Sequence, residues 1–141
     1  MKLLLWHCER LSYVDGKPST RPEGIHQVAP TPTSGSFNDL LVVFTTVESG
    51  DGEANIERAT QEIQRMIKMI GERLVLLMPF AHLSNDLAEE EQATGAIAEI
   101  ARRLAQGHSE VVRASFGFHK EDFELSYVAN GHPGSVAYRE A

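Results

Sequence analysis

Four short runs of continuous apolar residues constrain this chain more than any other feature: Lys2 to Cys8, Leu40 to Val47, Leu74 to Met78 and Val111 to Phe116. Polar or turn residues bound each run, and the lengths suit strands covered on both faces, although period alone leaves a short buried helix open. A fifth segment, Phe123 to Val128, alternates apolar and polar residues and predicts a strand with one packed face. A sixth short strand is expected through Val136-Ala137-Tyr138.

Two helical stripes separate these runs. In the first, Ile56, Ala59, Ile63, Met66, Ile67 and Ile70 recur at helical spacing, with Glu57, Arg58, Glu62, Arg65 and Lys68 mostly opposite. Asn55 suits the N-cap, and Gly71 stands where a left-handed residue is wanted. In the second, Ala93, Ala96, Ile97, Ile100 and Leu104 form the stripe, Asp86 with Glu89 resembles a capping box, and Gly107 closes the helix. These Met and Ile stripes read as core. The stretch from Gly16 to Ser36 holds Pro18, Pro22, Pro30 and Pro32 and reads as a long connection with at most one irregular strand. The expected architecture is α/β: a single compact domain, a mixed β-sheet and two main helices.

Composition narrows the function classes. At 141 residues the chain is one domain, with a core large enough to need no disulfide or metal. Thirteen basic against twenty acidic residues give a net charge of −7, which argues against a basic groove along nucleic acid but leaves recognition of one nucleotide end open. Cys8 is the single cysteine, so a cytoplasmic setting is the default. No apolar run is long enough to span a bilayer, and Leu3-Leu4-Leu5-Trp6 is too short for a signal-peptide core, so no membrane partner is expected.

Chemistry concentrates at two strand ends. Pro79-Phe80-Ala81-His82-Leu83-Ser84-Asn85-Asp86 leaves a buried strand and is expected to enter the N-terminus of the second helix, the place where α/β sheets bind ligands. His82 has two readings there: a group in the mouth of a crevice, or a ring packed under the loop with its nitrogens satisfied by backbone. In Phe116-Gly117-Phe118-His119-Lys120, Gly117 permits close approach or positive φ. The neighbouring aromatic rings would partly desolvate Lys120 and aim it at a carbonyl or oxyanion, though most lysines are merely solvated. Gly131-His132-Pro133-Gly134 reads as a tight turn. Six histidines and one cysteine show no metal-ligand spacing, so neither a metal nor another cofactor is expected. No glycine-rich phosphate loop, GxSxG elbow or Ser-His-acid signature occurs.

Taken together, Pro79-Phe80-Ala81-His82-Leu83-Ser84 with Leu87 and Ala88, then Phe116-Gly117-Phe118-His119-Lys120, then Gly131-His132-Pro133 resemble the signature of archaeal threonyl-tRNA synthetase editing domains. A short apolar first strand ending in His7 agrees, so the resemblance spans essentially the whole chain. It implies a D-aminoacyl-tRNA deacylase-like fold, a homodimer, and hydrolysis of serine misattached to threonine tRNA. His82 and Lys120 match the family's two principal active-site side chains. Pro79, Phe80 and Ala81 match the loop that holds the terminal adenosine and aminoacyl group, while Phe116, Gly117, Phe118 and His119 complete the substrate-binding set. His119 stands where relatives often carry tyrosine. Relatives also carry a glutamate after the Gly-His-Pro turn, where this chain has Gly134-Ser135-Val136, and Glu140 comes too late to replace it.

The implied partner is the aminoacylated 3′ end of tRNA, with synthetase catalytic and anticodon-binding domains in cis or trans. The chain lacks the length and motifs of a synthetase catalytic domain, so an excised domain or a split, trans-acting protein is expected. Two other functions stay open: removal of D-amino acids from tRNA, and binding of aminoacyl-adenosine without turnover.

Overall fold

The computed structural model describes residues 1–19, 34–107, 109–127 and 136–141. Its elements are β1 (Lys2–Pro18), β2 (Ser34–Thr46), α1 (Glu53–Ile70), β3 (Leu74–Pro79), α2 (Glu90–Gln106), β4 (Val111–Arg113), β5 (Phe118–Tyr127) and β6 (Val136–Glu140). They form one mixed sheet in the order β4-β3-β2-β1-β5, with β6 also on β1. β1 and β2 are antiparallel, whereas β2-β3 and β3-β4 are parallel pairs. A parallel return needs a long crossover, which α1 and α2 supply. The other edge of β1 is shared: β6 pairs with Lys2–Trp6, and β5 pairs from Cys8 to Pro18.

The continuous apolar runs have their reason in this order. Leu41 and Val43 of β2, with Val75 and Leu77 of β3, pack with Ile63 and Met66 of α1 and Ile97 and Ile100 of α2. Leu40, Val42, Phe44, Leu76 and Met78 form a second cluster on the opposite face. Among the described residues no helix belongs to that second cluster. Besides Ala114, Val112, Leu125, Leu74 and Phe80, its members come from a switch of parity along the β1–β2 pair: Leu4, Trp6 and Cys8, then Leu11 and Tyr13, with Phe37 preceding Leu40 on β2. The switch is centred where Glu9 and Asp39 drop out of the Cα pairing and Asp39 takes φ 47°. An irregularity of this kind re-aims the side chains beyond it. The far half of the hairpin thereby supplies the apolar surface that helices supply on the other face.

Several local features differ from the sequence reading. β1 continues ten residues past Cys8 to Pro18; polar Glu9 and Arg10 hide the continuation, in which Leu11 and Tyr13 resume the alternation in the other parity. β4 stops at Arg113, and β5 begins at Phe118, five residues before Phe123. Pro22, Pro30, Pro32, Val128 and the Gly131-His132-Pro133-Gly134 segment lie outside the described residues. The N-cap of α1 is Gly52, not Asn55. Asn55 sits inside the first turn and accepts from the Gly52 N–H at 3.0 Å. Gly71 does adopt the positive φ expected of it, 94°, and its N–H donates to Ile67 O at 2.7 Å.

The capping box expected from Asp86 and Glu89 does not form, since α2 begins only at Glu90. Asp86 instead accepts from Ser49 Oγ at 2.6 Å. The Ala88 N–H donates to Val47 O at 3.0 Å, and Ser84 Oγ donates to Glu48 at 2.7 Å. Tertiary docking on the end of β2 therefore outcompetes local capping, and it fixes the loop between β3 and α2. The Ser84 hydroxyl holds the Glu48 carboxyl below its ordinary value of 4.5, and the N-terminal ammonium and Lys2 act in the same direction against the effect of burial.

Two stability measurements test this arrangement. Ile100 is fully buried, so Ile100→Ala should lower the urea unfolding free energy by about 2–5 kcal/mol. Met69→Ala, at an exposed position, should change it by no more than about 0.5 kcal/mol. Equal effects would contradict the assigned core. For Glu48, the folded state binds the proton less tightly than the unfolded state. Its stabilisation is present above the unfolded value of 4.5 and lost as pH falls through the folded value. Between pH 6 and 3 the wild type should therefore lose more stability than Glu48→Gln, and parallel curves would remove Glu48 as the loop's anchor.

Candidate active site

The parallel register of β2 and β3 ends with Thr45 opposite Pro79. Beyond it the Phe80 N–H donates to Thr45 O at 2.9 Å, and the Phe80 carbonyl accepts from the Thr46 hydroxyl. Both main-chain groups of Phe80 are thus fixed, and the chain passes on through Ala81 and His82. On the neighbouring strand, the Ala114 N–H still donates to Leu77 O at 2.9 Å. The chain then turns through Gly117, buried at φ 97°, and enters β5. That φ is open to glycine and strained for other residues. The Gly117 carbonyl accepts from the Ser19 N–H at 2.8 Å, which ties this turn to the end of β1.

Between the two turns lies a cavity of about 340 Å³. Pro79, Phe80, Ala81 and His82 line one side, and Phe116, Gly117, Phe118, His119 and Lys120 line another. The fold thus gathers every candidate side chain named from the sequence, from two segments more than thirty residues apart, into one space. Their placement differs in two respects. His82 sits on the loop eight residues before α2 rather than at the helix N-terminus. Phe118, His119 and Lys120 belong to β5 rather than to a loop beyond a strand.

His82 is exposed, so it is not a ring packed beneath the loop. Its ring meets Phe80 edge-on, with centroids 4.8 Å apart. Phe80 in turn contacts Phe44 at 5.2 Å, and Phe44 contacts Phe123 at 6.1 Å, so aromatic rings form much of the wall. Flat apolar surface with a few convergent polar groups is the usual character of a small-molecule site.

Lys120 is the cation of this site. Its side chain is only 12% exposed, and Nζ lies 5.2 Å from the centre of the Tyr13 ring, so it is partly desolvated as the aromatic surroundings suggested. Its chief partner is Asp15, which sequence reasoning missed. Nζ donates to Asp15 Oδ1 and, at 2.9 Å each, to the carbonyl and hydroxyl oxygens of Ser115. The Ser115 hydroxyl donates to Asp15 Oδ2. Burial first, and then the Asp15 charge, push the Tyr13 phenol up and keep it neutral. Asp15 lies directly across the β1–β5 ladder from Lys120. No local pattern reveals a register between residues so distant in the chain.

Other chemistries find little support in the arrangement. Burial pushes the Cys8 thiol up to about 12, so it is no thiolate nucleophile at neutral pH. Among the described residues no group of three or more His, Cys, Asp or Glu side chains could hold a metal ion. Among the described residues no helix is long and apolar enough to cross a membrane. What remains is a fixed cation, an exposed imidazole and apolar walls, a combination suited to binding a flat ring and stabilising an oxyanion.

Comparisons with known proteins identify the family. A family model of the archaea-specific editing domain of threonyl-tRNA synthetase matches residues 1–141. A threonine–tRNA ligase of Hyperthermus butylicus is 38% identical over 99% of this chain and 22% of its own length. The threonine–tRNA ligase editing subunit of Aeropyrum pernix is 35% identical over 94% of this chain and 30% of its own length. The chain therefore spans less than a third of the length of these curated relatives. The solved structure of a c-Myc DNA unwinding element binding protein matches with a TM-score of 0.64, covering 100% of this chain and 99% of that one at 13% identity, a likeness of fold alone. The α/β architecture, a mixed sheet with two helices, is as expected. With its strand-end motifs gathered around one cavity and the family match running from end to end, the chain belongs to the archaea-specific editing domains of threonyl-tRNA synthetase.

Proposed function

We propose that the cavity receives the aminoacylated terminal adenosine of tRNA and hydrolyses L-seryl-tRNA(Thr). The observation that carries this reading is the convergence of Pro79 to His82 and Phe116 to Lys120 on one space of about 340 Å³. Ala81 offers its main chain to an adenine edge, and the Phe80 and Phe44 rings supply flat apolar surface beside it. The acidic chain recognises a single RNA end, while the remainder of the tRNA is held by other synthetase domains. A homodimer in the cytoplasm accords with the family resemblance.

The reaction adds water to the ester carbonyl. The bond to the ribose 3′-oxygen breaks, the amino acid leaves as its acid, and the 3′-hydroxyl takes up a proton. An ester is activated enough for positioning and oxyanion stabilisation to carry the step. Among the described residues no protein nucleophile stands out at this cavity, and the adjacent ribose 2′-hydroxyl is placed by its own covalent bonds to orient the water and relay its proton. Lys120 supplies positive charge for the oxyanion. Its three N–H groups are already taken by Asp15 and Ser115, so contact with a substrate oxygen exchanges one Ser115 bond. His82, exposed at the mouth, orients the ribose or the amino acid.

Editing is needed because a synthetic site built for threonine accepts the smaller serine. One methyl discriminates by only about 1–3 kcal/mol, or 10–200-fold. The second site must accept the hydroxymethyl group and reject the added methyl. In single-turnover assays seryl-tRNA(Thr) should react at least ~10-fold faster than threonyl-tRNA(Thr). Lys120→Met should lower the seryl rate by roughly 10²–10³-fold with little change in binding, and His82→Ala should be milder. Equal rates on the two substrates would contradict serine editing. Hydrolysis confined to D-aminoacyl-tRNA would assign a chirality editor instead, and tight binding without turnover a non-catalytic module.

A further expectation concerns the ribose. Seryl-tRNA ending in 2′-deoxyadenosine should bind with similar affinity but react poorly, because the relay group is missing. Full activity on that substrate would return the proton transfer to protein side chains.

A further inference from the structure

The wall that carries Lys120 holds a second charge that the proposed reaction does not itself use. Asp15 stands opposite Lys120 in the β1–β5 pairing, and its side chain is fully buried. Its carboxylate can only accept hydrogen bonds, so the single Ser115 hydroxyl proton goes to Oδ2, and the Ser115 oxygen accepts from Lys120. Lys120 uses its other donors on Oδ1 and on the Ser115 carbonyl. Each of these bonds joins a donor to an acceptor. Among the described residues, β1, β5 and the turn between β4 and β5 contribute. Burying such a pair is not a favourable way to stabilise a fold, since apolar residues of similar volume commonly do as well or better. Its position on the cavity wall calls for another reason.

We propose that Asp15 is the positioning residue for Lys120. It holds the ammonium fixed in direction, with Ser115 as the partner that yields when a substrate oxygen arrives. The proposal rests on the reading that seryl-tRNA is hydrolysed in this cavity. Asp15 touches no reacting atom; it acts through Lys120.

A double-mutant cycle separates this role from a structural one. Asp15→Asn keeps nearly the same shape and removes the charge. In single-turnover hydrolysis of seryl-tRNA(Thr) it should slow the reaction by roughly 100-fold. The half-saturating concentration should stay within about threefold. In a Lys120→Met background the same change should have no further effect. Losses that multiply in the double variant would overturn the proposal, because Asp15 would then act independently of Lys120. Should Asp15→Asn fold poorly, Ser115→Ala leaves both charges in place. It should slow hydrolysis by roughly tenfold, again only when Lys120 is present, and a loss that persists in Lys120→Met would count against the network.

A substrate-free measurement completes the test. The acylation rate of Lys120 by an amine-reactive reagent, followed by peptide mass spectrometry, should rise about tenfold in Asp15→Asn as one charge-assisted bond is lost. Equal labelling of wild type and variant would refute the pairing. A wild-type protein that leaves seryl-tRNA intact would instead refute the proposed function, with the labelling still deciding whether Asp15 holds Lys120.

Discussion

The central strands β2 and β3 are apolar on both faces, and the rest of the structure follows from the need to cover both. One face is met by the two crossover helices that parallel pairing requires. The other is met by the β1–β2 hairpin itself, which changes the parity of its inward residues at Glu9 and Asp39. Had the pairing run on without that irregularity, Leu11 and Tyr13 would face away from Cys8's cluster, because adjacent positions on a strand alternate faces. The same irregular hairpin carries Asp15 to the place where β5 meets β1.

The candidate site is a consequence of where these covers stop. β3 ends at Pro79, β4 ends at Arg113, and the chain leaving each must turn at the same end of the sheet. That is the end at which open α/β sheets bind ligands. The loop after β3 is held from outside by Glu48, Ser49 and Val47, while its Phe80 main chain is held by Thr45 and Thr46. Rigid attachment on both sides suits the proposed editing role, in which a methyl group is discriminated through geometry. The charge arrangement is equally economical. One cation faces an apolar space, and its counter-ion is withdrawn into the wall behind it.

Much of this was legible in the sequence where the signal is local. Leu40 to Val47 and Leu74 to Met78 read as strands covered on both faces, and the stripes of Ile56 to Ile70 and Ala93 to Leu104 as helices against them. Pro79 to His82 and Phe116 to Lys120 stood out by their position at strand ends and by family resemblance. The misses are all tertiary. Asn55 and Asp86 look like caps until Gly52 and Ser49 claim them. β1 past Cys8 is hidden because Glu9, Arg10 and Ser12 face away from its apolar cluster. Asp15 carries no local signal of its own, and only the β1–β5 register makes it the partner of Lys120.

The claim on which the account stands is that the cavity between Pro79–His82 and Phe116–Lys120 holds the aminoacyl end of the substrate. A crystal structure of the domain with 3′-serylamino-3′-deoxyadenosine, whose amide replaces the scissile ester, tests it most directly. The account predicts the serine carbonyl within hydrogen-bonding reach of Lys120, adenine against the main chain of Ala81, and the ribose beside His82. The analogue bound elsewhere on the domain, or bound here with its carbonyl turned away from Lys120, would contradict it.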